Sequence, residues 1–359
     1  MFVAWRDLRT AKGRFTLMGT VIVLITLLVG LLSGLTAGLA RENVSAITGL
    51  PADRLAFAAP PSGRSVSFTD STVTEEQWRA WAERPGVTGA APLGIRTLNA
   101  VAGDRTAAVS AFGAEPESGL APGPVAPGKA VLSESAAEEL GAGAGDAVRL
   151  GPLEVTVTAV SGDASYSHTP VVWTSLDDWR RIGHSGTSTR EQATVIALSG
   201  GDGTDWAAGD EAAGTEARTV GDALTAIGSY QAENGSLQLM RGFLFAISAL
   251  VIGAFFTVWT IQRAGDVAVL KALGASTPYL LKDALGQAVL MLTAGTLLGT
   301  ALAVGIGALV GGGNVPFVLE PLTVLGPAAV IVVLGLLGAA LAVRRITAVD
   351  PLTALGSAR

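Results

Sequence analysis

Four stretches of this 359-residue chain, residues 15–40, 242–262, 284–319 and 321–343, contain no Asp, Glu, Lys or Arg. They are 26, 21, 36 and 23 residues long, and a helix needs roughly 20 apolar residues to cross about 30 Å of hydrocarbon. Each is long enough to span a bilayer. The third exceeds a single crossing and contains Gly311-Gly312-Gly313-Asn314-Val315-Pro316; it reads as a helix over 284–310 and a short non-helical connection over 311–320. Only 15% of the chain is charged, against about a quarter in soluble domains. It has no cysteine. A single soluble globule, a disordered chain, a disulfide scaffold and a thiol-based metal site are thereby excluded.

Charge sets the expected orientation. Residues 1–14, 263–283 and 344–359 together carry ten basic and four acidic residues, whereas 41–241 carry 14 basic and 25 acidic ones. The positive-inside rule places the three basic segments, and with them both termini, in the cytoplasm. It leaves 41–241 outside. The first span has the small-x-small end of a cleavable leader at Gly38-Leu39-Ala40, but a leader's apolar region is about 7–15 residues, so the span is expected to be retained. Gly30, Gly34 and Gly38 recur every four residues along it, a stripe that lets helices approach closely.

The outer segment reads as strands mixed with short helices. Thr74 caps a helix with Glu75 and Glu76 in its first turn, ending before Pro85-Gly86. Gly128–Leu132 reads as a strand, Ser133–Leu140 as a capped helix stopped by Gly141, and Leu153–Val160 as a half-buried strand from its alternation. Val171–Trp173 reads as a strand and Leu176–Ile182 as a helix. The run 199–218, rich in Gly, Asp and Glu, reads as a solvated loop. The expected fold is membrane α-helical, four transmembrane helices, with an α+β extracytoplasmic domain inserted between helices 1 and 2.

Catalytic chemistry is hard to find. Gly123–Ala130 nearly matches the phosphate-cradling loop, but Pro124 and Pro127 lack N–H groups and Ala130 lacks the metal-binding hydroxyl; it reads as a plain turn. His168 and His184 are the only histidines, have no metal-ligand spacing and read as solvated loop residues. Ser133 and Ser135 have no nucleophile-elbow context. The acidic outer face disfavours nucleic acid. No catalytic residue and no bound metal is expected.

Between the second and third spans the chain reads Arg263-Ala264-Gly265-Asp266-Val267-Ala268-Val269-Leu270-Lys271-Ala272-Leu273-Gly274-Ala275-Ser276. Val267, Leu270 and Leu273 recur every three residues and Gly274 supplies a stop; by pattern, this is either a short amphipathic helix along the membrane face or a solvated connector. The segment resembles the R-x-x-E-I-G-[IL]-[LM]-[KR]-A-[LI]-G-A-[ST] element of permeases in the MacB/FtsX/LolC group of ABC transporters, with Ala268 where that element has glycine. The end, Ile346 to Leu355, is similar to the group's I-x-x-x-x-P-x-x-A-L, and the stretch from Gly128 to Val160 to its periplasmic core. The N-terminal MFVAWRDLRTAKGRF also resembles the haem-exporting, HrtB-type branch.

The resemblance implies a homodimer, or a pair of related subunits, with an ABC ATP-binding subunit docked under each half, so that ATP is bound only by that partner. Arg263, Asp266, Val267, Leu270, Lys271, Leu273 and Gly274 would then couple to the ATPase, and the permease would act mechanically on an amphiphile taken from the lipid bilayer. Haem would be cargo rather than a resident cofactor. Glu42, Tyr230 and Met240 are its candidate iron ligands, and Arg41 and Arg241 the candidate partners of its propionates. Two other outcomes stay open at this level: signal transmission to an outer partner such as a cell-wall hydrolase, and export of lipoproteins or peptide antibiotics.

Overall fold

The computed structural model describes residues 12–183, 192–311 and 315–347. Two compact units divide the chain: residues up to Gly38 with those from Gly235 on, and Leu39–Asn234.

The first unit is helical. Four helices are long and apolar enough to cross a membrane: α1 (Lys12–Thr48), α7 (Tyr230–Gln262), α9 (Thr277–Val310) and α10 (Pro321–Thr347). Only 22–39% of each apolar window is buried inside the chain, so most of this surface needs lipid or a partner to cover it. What the helices bury against one another centres on Ile22, Val29, Ile252, Phe256, Leu292 and Ile331. Small residues set the approach. A Cβ at Gly30 would meet that of Ala303 at 2.9 Å, and one at Gly299 would meet Thr26 at 2.7 Å. Gly34 and Gly38 receive no helix; Phe317 and Pro316 of the outer connection sit on them instead, and Val318 N–H donates to the Gly34 carbonyl. The glycine stripe is thus half helix contact and half seat for a loop.

The second unit is a sheet with helices on it, built from β1 (Arg54–Ala58), β2 (Val73–Thr74), α2 (Glu75–Ala82), β3 (Val87–Ala102), β4 (Arg105–Ala114), β5 (Lys129–Leu132), α3 (Glu134–Leu140), β6 (Ala147–Leu150), β7 (Leu153–Val160), β8 (Ser165–Tyr166), β9 (Thr169–Ser175), α4 (Leu176–Gly183), β10 (Gln192–Ala193), β11 (Val195–Gly200), α5 (Trp206–Ala213), β12 (Thr215–Thr219) and α6 (Val220–Ala223). The main sheet runs β12-β1-β11-β3-β4-β9-β5-β7-β6, with β8 paired to β9. β3 is 16 residues long, and its far end also pairs with β6 through Ala100 and Val101. Six strands from β3 to β6 therefore close into a ring, filled by Val109, Leu132, Val148, Val155 and Val172 among others, while β11, β1 and β12 extend it on the other edge.

Local chemistry explains the helices. Thr74 and Gln77 form a capping box on α2, Ser133 caps α3 through Ala136 N–H, and Gly141 ends α3 at φ 61°, a left-handed conformation that glycine adopts freely. Along β7, Val155 and Val157 are buried while Glu154 and Thr156 are exposed, the period of two expected of a half-buried strand. Trp179 of α4 lies flat on the sheet because Gly94 and Gly113 carry no Cβ; a methyl at either would overlap the indole.

The stretch 199–218 is not a loop. It holds the end of β11, α5 and most of β12. Its Asp and Gly residues are caps: Asp205 accepts from Ala208 N–H, Gly214 ends α5 at φ 63°, and Asp210 accepts from Thr215 and Ala217. Burial pushes the Asp210 carboxyl above the usual range, and those two hydrogen bonds partly counter it.

Candidate functional site

The last ten residues of α1 and the first five of α7 belong to the outer unit, and their polar side chains meet there. Asn43 is 1% exposed. Its Nδ2 donates to Glu233 Oε2 at 2.7 Å and to Ser229 Oγ at 3.3 Å. The same Glu233 oxygen lies 2.7 Å from His168 Nε2. Glu42 Oε2 stands 3.8 Å from the other ring nitrogen, Nδ1.

His168 arrives on the tight turn between β8 and β9. Tyr166 pairs with Thr169, leaving two loop residues, Ser167 and His168, at φ 50° and 60°. Two successive positive φ values are the type I′ hairpin turn, which favours Asn-Gly; holding ordinary residues there costs about 1 kcal/mol or more each. The turn is docked on α1. Ser167 N–H donates to the Asn43 carbonyl and His168 N–H to that of Glu42, while Ser45 Oγ bonds both the N–H and the carbonyl of Ser165. His168 is therefore not a solvated loop residue: it is clamped between two helix ends.

The hydrogen bonds fix the imidazole. An ionised carboxylate only accepts, so the proton facing Glu233 sits on Nε2. Nδ1 faces Glu42 and carries a lone pair in the neutral ring, a second proton in the imidazolium. A metal-ligating histidine is oriented in the same way, its second ring nitrogen donating to a carboxylate. Among the described residues, no group of three or more His, Asp or Glu is arranged to hold a bare metal ion.

The other candidates fall elsewhere. Arg41 is exposed on α1. Tyr230 is half-buried and packed on the hydrophobic core of the outer unit. Met240 and Arg241 lie further along α7, in the helical unit, where Met240 is 46% exposed. Sequence reasoning missed Asn43, Ser229 and Glu233. Their one signal was position, since all three flank an apolar run.

The turn between the second and third spans is helical, α8 (Ala264–Ala272), and Gly274 at φ 94° ends it. Its apolar residues divide: Val267 and Leu270 are half-buried, whereas Val269 and Leu273 are 53% and 80% exposed. Arg263 donates to Gln287 Oε1 at 2.7 Å and stacks over Trp259, so it ties α7 to α9. The Asp266 side chain lies outside the described residues, as does His184. α9 begins at Thr277, one turn after Gly274, so it takes up residues expected in the connector.

Four apolar helices with one α/β domain between the first and second define a membrane permease layout. The chain belongs to the MacB/FtsX-type family of ABC transporter permeases: the MacB-like periplasmic core domain matches residues 15–215, more than half of it, and the FtsX-like permease C-terminal domain matches 239–351. A Staphylococcus haemolyticus relative bearing the name hemin transport system permease protein HrtB is 26% identical over 99% of both chains. An uncharacterised ABC transporter permease of Mycobacterium tuberculosis is 24% identical over 99% of both. The crystal structure of the periplasmic region of MacB from Actinobacillus actinomycetemcomitans aligns with 49% of this chain and 92% of its own, at 11% identity and a TM-score of 0.37. As a permease of an ABC system, the chain works with an ATP-binding partner.

Proposed function

We propose that this chain is the permease of an exporter that takes an amphiphile, haem foremost, out of the membrane by mechanical movement. Two ATPase subunits beneath a homodimer of the chain would supply the energy. The observation that carries the reading is His168: its Nε2–H is committed to Glu233, and its Nδ1 faces Glu42 across 3.8 Å. Histidine is a usual axial ligand of haem iron, and the hairpin presenting it is bonded to the ends of two helices that would move. The full-length relative named for hemin transport supports the same cargo. Arg41, exposed and with no ion pair among the described residues, is proposed to meet a propionate. Tyr230, Met240 and Arg241 are proposed contacts to be judged by the same titration.

Haemin added to the purified permease–ATPase complex in detergent tests this. A saturable Soret shift is expected, weakened about tenfold or more in His168→Ala and in Glu42→Ala, with ATP hydrolysis stimulated only in the parent protein. No Soret shift in the parent overturns haem as cargo. An undiminished shift in both variants overturns the site.

A further inference from the structure

The outer unit also holds a cavity of about 520 Å³, walled by β3, α4, β8 and the loop that leads into β2. Its chemistry is unlike that of the rest of the domain. Residues 41–241 carry 25 acidic side chains, yet no acidic side chain is among the described residues lining the cavity, where Arg96 is the one ionised group. Arg96 has no carboxylate partner among the described residues. Its guanidinium lies 5.1 Å above the Trp179 ring and over Gly183, where any side chain would collide with it. A charged fork positioned by an aromatic face and a glycine, with no carboxylate partner among the described residues, is a ready partner for a planar anion.

One further donor on the lining lacks an acceptor: Tyr166 is 7% exposed and its hydroxyl has no protein partner among the described residues. Burial pushes the Tyr166 phenol well up, so it keeps its proton and stays a donor at neutral pH. A buried donor without an acceptor is destabilising, and an entering acceptor removes that cost. Phe68, Tyr166 and Trp179 supply the apolar faces. Polar donors among aromatic walls are the usual make-up of a small-molecule site, and its volume lies within the range of roughly 300–1,000 Å³.

We propose that this cavity binds a small organic carboxylate with an aromatic body, the carboxylate meeting Arg96 and Tyr166 and the ring meeting the aromatic wall. It would be a second ligand site, separate from Glu42 and His168, and independent of what the permease exports.

Fluorine NMR of 4-fluorobenzoate added to the full-length chain in detergent reads the binding directly, with 4-fluorobenzamide as the uncharged control for partition into the micelle. Saturable broadening is expected for the carboxylate alone, with affinity down at least tenfold in Arg96→Gln and about threefold in Tyr166→Phe. The haemin Soret response of Arg96→Gln is expected to match that of the parent, so the two sites stand or fall separately. Absence of saturable binding, equal binding of the amide, or an unchanged affinity in Arg96→Gln overturns the proposal. Displacement by equimolar inorganic phosphate would assign the cavity to phosphate instead, and overturn the carboxylate. Should Arg96→Gln not fold, Tyr166→Phe decides, because it keeps the ring in the core and removes only the donor; unchanged affinity there is equally fatal.

Discussion

Ser167 and His168 share one strained turn but not one reason for it. Both have positive φ, where a side chain costs about 1–2 kcal/mol and glycine costs nothing sterically. The His168 side chain bonds Glu233 and faces Glu42, so its strain is offset by contacts no glycine makes. The Ser167 side chain makes no such contact; only its backbone N–H is used. Ser167→Gly should therefore relieve strain, less roughly 0.5–1 kcal/mol for the freer unfolded chain. The net gain is about 0.5–1 kcal/mol. In a thermal melt of the full chain, the outer unit's transition should rise by about 1–3 °C, with the haemin response unchanged. A fall in Tm would mean that the turn is not held in this conformation.

Elements were legible where one local signal decided them. Thr74 with Glu75 and Glu76, Ser133 with Gly141, and the alternation along Leu153–Val160 each predict an observed element. The stretch 199–218 misled because Asp and Gly are loop residues and helix caps alike; only the packing of Trp206 against Trp81 and the burial of Thr215 and Ala217 tell which role they play. The polar joint was illegible for another reason. Asn43, His168 and Glu233 are 125 and 65 residues apart along the chain, and no periodicity links them. The amphipathic turn was half legible. A spacing of three puts Val267, Leu270 and Leu273 together, but the observed helix turns Val269 outward and leaves Leu273 at its end, far more exposed than Leu270. If α8 docks the ATPase, Leu273→Asp should abolish co-purification of that subunit, while Leu270→Asp should chiefly lower the permease's own stability. A complex that assembles normally with Leu273→Asp would remove α8 from the interface.

At the scale of the whole molecule, the apolar helices set how many times the chain can cross lipid, and charge sets the orientation expected of it. Residues 1–14, 263–283 and 344–359 carry ten basic residues against four acidic, and residues 41–241 carry 25 acidic against 14 basic. Basic residues near span ends are favoured on the cytoplasmic side, and with an even number of spans both termini are expected there. Position 120 lies in the connection between β4 and β5 of the outer unit, clear of both strands. A phosphatase reporter inserted there should be active outside the cell, and a fluorescent reporter fused after Arg359 should mature inside. The opposite pair of signals would invert the molecule, putting Glu42 and His168 on the cytoplasmic face and Leu273 outside, where no ATPase could reach it. The proposed export and the proposed cargo site both depend on this one orientation.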